Sequence, residues 1–194
     1  LKIPNVKVES YTGEQLTRLQ KVFGYKYEDV NTLILPMART GAEPSGAMGT
    51  DTPLAVLSDQ HPPLFNYFKQ LFAQVTNPPI DAIREEVITS TSVYIGAHGN
   101  LLEENAINCQ VLKIHNPILT NTDMLKIKNM KKDGFKVVTI STLYYKSTKL
   151  ERAIDRLFVE VDKAFREGAN ILVLSDRGVD ENHMPIPSLL AVSA

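Results

Sequence analysis

The stretch FKVVTISTLYYKSTKLERAIDRLFVEVDKAFREGANILVLSD, residues 135–176, decides the fold. FKVVTIS (135–141) is a β-branched run, and ILVLSD (171–176) is a second apolar segment of strand length. Between them Leu150, Ala153, Ile154, Leu157, Phe158, Val161, Ala164 and Phe165 recur at helical spacing and trace one face of a long helix. Thr148 and Glu151 have the spacing of a capping box at its start, and Gly168 suits the position just past its end. A strand, a helix and a strand of these lengths make a parallel βαβ unit with a right-handed crossover. Both strands are apolar along their length, as a parallel sheet covered on both faces requires. The fold class is α/β. Ligands in such sheets gather at the carboxyl ends of the strands, which here carry Ser141 and Thr142 after the first strand and Ser175, Asp176 and Arg177 after the second.

Working outward, residues 91–118 are punctuated by Gly96, Gly99, Asn100 and Pro117 and read as loop with short strands. Thr120 or Asn121 caps a helix through Met130 that Gly134 ends. About residues 10–90 form a helical part, and about 91–194 the α/β part. Thr12 and Gln15 have capping-box spacing ahead of Leu16, Leu19 and Phe23, and Gly24 stops that helix. Val30, Leu33, Ile34 and Met37 continue at helical spacing toward Arg39 and Gly41, with Pro36 forcing a kink or an early end. Leu64, Phe68, Leu71 and Phe72 place 64–75 on a heavily apolar helix, broken by Pro78 and Pro79. Asp81, Arg84 and Glu85 open another short helix.

The bulk numbers exclude several classes. With 194 residues, 43% hydrophobic, 22% charged and a formal net charge of −1, the chain has an ordinary globular composition and no electrostatic reason to bind nucleic acid or an anionic membrane. No apolar run approaches the ~20 residues of a membrane span. Cys109 stands alone, so the chain holds neither a disulfide framework nor enough thiolates for a zinc or iron–sulfur site. A reducing, cytoplasmic compartment is the expectation. The start at Leu1 and the apolar stop at PSLLAVSA lead us to expect a segment of a longer protein.

The glycine-rich stretch MARTGAEPSGAMGTDTPLAVLS (37–58) invites comparison with a phosphate loop. It has no lysine followed by serine or threonine after its last glycine, follows a helix, and leads into the short apolar PLAVLS, which reads as a buried strand or extended segment. Its glycines and prolines fit a backbone that turns sharply and packs closely. His61, His98, His115 and His183 show no metal-ligand spacing. Asp176 and Arg177 either bind a ligand or tie a loop through a salt bridge. Thr76 and Asn77, before Pro78, either line a polar passage or make an Asx turn.

Three blocks carry a resemblance: FGYKYEDVNTLILPMARTGAEPSGAMGTDTPLAVLSDQ (23–60), PLFNYFKQLFAQVTNPPIDAIREE (63–86) and ILVLSDRGVDENHMPIPSLLAVSA (171–194). The chain from about Gln15 to Ala194 resembles the central domain of the large (alpha) subunit of glutamate synthase, more loosely over 91–116 and 121–134. In that family an N-terminal cysteine hydrolyses glutamine, ammonia passes through an internal tunnel, and an FMN domain with an iron–sulfur cluster condenses it with 2-oxoglutarate and reduces the imine. The resemblance implies a partial, flavin-enzyme-like barrel that links the amidotransferase and FMN domains of one polypeptide, with a small reductase subunit or ferredoxin as a further partner. It implies no catalytic, cofactor or metal residue in this segment, and no activity for the segment alone. Under it, Thr76 and Asn77 line the ammonia tunnel, and the loop from Thr40 to Thr52 packs at the domain junction. Two other readings stay open: a stand-alone α/β enzyme using Asp176 and Arg177, and a structural spacer with no part in the channel.

Overall fold

The computed structural model describes residues 9–44, 46, 48–53, 55–60, 62–74 and 81–194, the side chains of Glu86 and Val87 excepted. The chain divides into two compact units, one over Glu9–Glu85 and one over Glu86–Ala194.

In the first unit, helix α1 (Gly13–Val22) follows Thr12, whose extended backbone suits an N-cap, but no side-chain capping bond forms there. The expected capping box is therefore absent. Gly24 ends the helix as expected, with Gly24 N donating to Lys21 O and Tyr25 N to Gln20 O. A π-helical turn, Asp29–Ile34, then runs into α2 (Leu35–Thr40), where Pro36 sits in the first turn. Pro36 has no N–H to give, so the chain changes its hydrogen-bond period at the proline and starts a new helix there. Gly41, left-handed at φ 69°, closes α2 through its N–H to Met37 O.

Two further expectations fail in this unit. The long helix expected over 64–75 does not form among its described residues: a 3-10 turn, Leu64–Phe68, is followed by an extended Lys69. Pro63 offers no capping side chain, aromatic residues are poor helix formers, and a helix of twelve residues is marginal without a face to bury. The backbone beyond the turn pairs with the glycine-rich loop, Gln70 O accepting from Thr50 N at 2.9 Å and Gln74 O from Met48 N at 2.7 Å. The described residues of PLAVLS form no strand and are not buried. Leu54 lies outside the described residues, and Val56 and Leu57 sit in a turn, 85% and 96% exposed. With no ladder partner, the segment turns on Ser58 N to Ala55 O.

Helix α3 (Ala82–Ile88) leads from one unit into the next, and the Asp81 carboxylate accepts the Ile83 N–H at 3.0 Å at its start. The second unit opens with an antiparallel pair, β1 (Val93–Ile95) and β2 (Leu112–Ile114), the short strands expected in 91–118. Helix α4 (Asn121–Lys128) is capped by Thr120, whose hydroxyl oxygen accepts the Asp123 N–H at 3.1 Å. It stops at Lys128, not at Met130: the Met130 N–H bonds Ile127 O, a tighter turn that drops Met130 into the core.

The βαβ unit then forms as expected. β3 (Val137–Ser141) is followed by β4 (Leu143–Tyr145), α5 (Leu150–Arg166) and β5 (Ile171–Ser175), with β3 and β5 parallel from Val137↔Ile171 to Ser141↔Ser175. β6 (His183–Pro185) returns antiparallel on β4, and α6 (Ser188–Ser193) follows. The strand pairs do not close into a barrel among the described residues. Along β3 and β5 side chains alternate faces. Val138, Ile140 and Leu174 pack with Ala153, Leu157 and Ala164 of α5 in one core. Val137 and Ile171 face the other way, into a second core with Ile127 and Met130 and with Ile95, Leu112 and Ile114 of the hairpin.

The ends of α5 explain one success and one failure. Gly168, left-handed at φ 87°, gives its N–H to Phe165 O while Ala169 N reaches Ala164 O, a Schellman close in which Ala164 and Ala169 are both buried. The capping box at Thr148 does not form. Thr148 N bonds Tyr145 O in the turn after β4, so Lys149 occupies the cap, one residue late for the Thr148–Glu151 spacing. Phe158 and Phe165, counted on the apolar face, are exposed at its border, and Leu157 carries the centre.

Leu157→Ala is expected to cost about 2–5 kcal/mol by leaving a cavity against Ile140, whereas Phe165→Ala should change stability by less than about 0.5 kcal/mol. Urea unfolding followed by circular dichroism checks the contrast.

Candidate functional site

The carboxyl end of the parallel pair is where α/β chemistry is expected, and the face opposite α5 changes character toward it. It is apolar at the amino end, with Val137 beside Ile171, and bears the hydroxyls of Thr139, Ser141 and Ser175 at the carboxyl end. Thr142, 3% exposed, is engaged in joining the two strand pairs: its N–H bonds Ser175 O at 2.9 Å and its carbonyl accepts from Ile186 N at 3.0 Å. Ser141 Oγ accepts the Leu143 N–H at 3.3 Å.

Asp176 and Arg177 do not form the expected salt bridge. Arg177 Nη2 donates instead to Asn121 Oδ1 at 2.8 Å, which ties the loop after β5 to the first residue of α4. That is the loop-tying reading, made through an amide in place of a carboxylate. Thr76 and Asn77 lie outside the described residues, as does His61. Cys109 is exposed at the end of the 3-10 turn Ala106–Cys109. Among the described residues no three His, Cys, Asp or Glu side chains gather as a metal site, and no helix is long and apolar enough to cross a membrane.

Two side chains with structural weight escaped the sequence reading. Arg156, from the middle of α5, donates Nη2 to Ser141 O at 3.2 Å and to Leu143 O at 2.8 Å, while Nη1 pairs with Glu160 at 3.1 Å. It caps carbonyls where β3 gives way to β4. Asn170 clamps the amino end: its Oδ1 accepts Lys136 N at 2.8 Å and its Nδ2 donates to Gly134 O at 2.6 Å. Neither was legible in advance, because an Arg on a helix and an Asn before a strand are common, and their partners lie 13 to 36 residues away.

The loop from Gly178 to Asn182 is organised by Asp180. Its Oδ1 accepts the N–H groups of Asn182 (2.7 Å) and His183 (2.8 Å), and Nδ1 of His183 lies 2.9 Å from the same oxygen. The Tyr145 ring meets the imidazole edge-on, with centroids 5.8 Å apart. The glycine-rich loop packs against backbone of its own unit. A Cβ on Gly49 would lie 1.9 Å from Phe72 O, so only glycine permits this approach. A phosphate has no room where that carbonyl sits.

Arg156→Met keeps the aliphatic stem and removes the donors; the half-exposed site should lose about 1–2 kcal/mol, read by urea unfolding. Asp180 is held below the ordinary carboxylate range, first by the Asn182 N–H, then by the His183 side chain and the His183 N–H. Its ionised form therefore supports the loop above the ordinary aspartate value, about 3.9, and that support is lost as pH falls through the lower folded value. NMR of the 178–183 amides between pH 2 and 6 should show this transition in the native chain and none in Asp180→Asn.

Comparison with known proteins gives the family. A family profile described as "Glutamate synthase central domain" matches residues 18–194. The chain is similar to the glutamate synthase [NADPH] large chain of Bacillus subtilis (strain 168), 46% identical over 191 residues, 98% of this chain and 12% of that protein. It is similar to the glutamate synthase [NADH] of Schizosaccharomyces pombe, 44% identical over 177 residues, 89% of this chain and 8% of that one. Ferredoxin-dependent glutamate synthase 2 of Synechocystis is also 44% identical, over 188 residues, 94% of this chain and 12% of that protein. The chain thus spans about a tenth of the length of these relatives. It belongs to the glutamate synthase central domain family.

Proposed function

We propose that this chain is the linking domain of a glutamate synthase, holding a glutamine amidotransferase domain and an FMN-dependent synthase domain in register so that ammonia passes between them. The observation that carries the proposal is the family match over residues 18–194. The Ser141 and Arg177 side chains at the carboxyl end of β3 and β5 support it, because they tie backbone and loop together. Glutamate biosynthesis from glutamine and 2-oxoglutarate belongs to the whole polypeptide in this reading.

A shielded passage has a physical reason. Ammonia released into water is protonated and diluted, whereas local delivery keeps a neutral nucleophile at high effective concentration. Thr76 and Asn77 are our candidates for polar groups along it, and the Thr40–Thr52 loop for the domain junction. FMN and the iron–sulfur cluster belong to other domains in this proposal. Gly49 closes against Phe72 O where a phosphate loop would need space, and the lone Cys109 cannot ligate a cluster. The relatives are named for NADPH, NADH and ferredoxin, and in this proposal the electron donor, a small reductase subunit or ferredoxin, acts outside this domain.

The test uses the full-length polypeptide. Thr76→Val with Asn77→Leu is expected to raise the glutamine hydrolysed per glutamate formed; an unchanged ratio favours a spacer with no part in the channel. The 194-residue chain by itself should neither retain FMN on titration nor hydrolyse glutamine, and a flavin-coloured chain or steady turnover would overturn the linking reading.

A further inference from the structure

The connection between β1 and β2 is a second place where order needs an explanation. The Asn108 side chain donates Nδ2 to Asn100 O and to Glu103 O, both at 2.8 Å. Asn100 Oδ1 accepts the Leu102 N–H at 3.1 Å, and its Nδ2 donates to Glu103 Oε1 at 2.9 Å. Asn105 Oδ1 accepts the Ile107 N–H at 3.1 Å. Three asparagines thus fold residues 100–108 back on themselves.

What this scaffold presents is apolar. Leu101 is 80% exposed and Leu102 is 94% exposed, side by side at the loop's tip. An ordinary surface loop needs neither adjacent leucines in water nor side-chain bonds to hold them there. Glu103 and Glu104 follow directly, and neither has an ion pair among the described residues. Two aliphatic anchors beside two unneutralised carboxylates match an apolar pocket with a cationic rim. A preordered loop loses little conformational entropy on docking, which is the benefit of fixing it beforehand.

We propose that residues 100–104 are a docking finger that inserts Leu101 and Leu102 into an apolar, basic-rimmed pocket on another domain of the same long polypeptide. The choice of partner rests on the linking-domain reading, since the Bacillus subtilis relative carries roughly seven times the length of this chain outside the matched segment. The finger and its anchors rest on the loop itself.

Carbene footprinting of the full-length polypeptide under conditions where it is monomeric tests this. Leu101 and Leu102 should be labelled at least fivefold less than in the isolated tryptic peptide that contains them, and a photocrosslinker at position 102 should join to a basic-rimmed pocket of the same chain. Asn108→Ala, which leaves both leucines in place but releases the scaffold, should restore their labelling. Labelling of native Leu101 and Leu102 equal to the peptide standard overturns the proposal, as does protection that appears only on self-association. The hydrolysis-to-synthesis ratio of Leu101→Ser with Leu102→Ser, measured alongside, keeps the two readings apart. Protected leucines with an unchanged ratio uphold the finger and count against the coupling role, while unprotected leucines sink the finger whatever the ratio.

Discussion

The packing of α5 across the β3–β5 pair is the constraint on which the second unit depends. Leu157 and Ala153 press against Ile140, and the close alanine at 164 lets the helix end near enough for Gly168 to return the chain into β5. Once that return is set, Asn170 can reach Lys136 and Gly134, and Arg156 can reach the carbonyls of Ser141 and Leu143. The parallel ladder needs such ties. Its two strands are brought together only by a long crossover, whose closure entropy the helix-on-sheet core must offset.

From that pair the rest of the unit is built in two directions. The face behind β3 and β5 receives α4 and the β1–β2 hairpin through Ile127, Met130 and Ile171. Beyond Thr142, the strands change partners, β4 pairing with β6. Several groups at this end serve the fold itself: the Thr142 backbone joins strands, Arg177 holds α4 and Asp180 shapes the return loop.

The first unit shows the same restraint in its chemistry. Its glycine-rich loop, which invited comparison with a phosphate loop, approaches the 70–74 backbone so closely that Gly49 faces a carbonyl oxygen. Gly49 is explained by that backbone proximity, and Gly41 by the left-handed cap it gives α2.

Legibility in the sequence followed the range of the interactions. The βαβ unit was readable because amphipathic periodicity, apolar strands and a left-handed glycine act within a few residues. The same holds for the caps at Gly24, Gly41 and Thr120. The long helix over 64–75, the strand in PLAVLS and the capping box at Thr148 misled because short patterns compete with neighbours. Gln70 and Gln74 found partners in the glycine-rich loop, and Thr148 was already held by Tyr145. Arg156 and Asn170 were invisible for the converse reason, since each acts only once distant backbone has been brought beside it. By itself, then, the sequence determined the α/β class, the crossover helix and the family resemblance, all of them properties of local period or of long continuous similarity. Only the tertiary structure decided which polar groups are free and which are already bonded, because a hydrogen bond between residues far apart in sequence exists only after the core has set their distance.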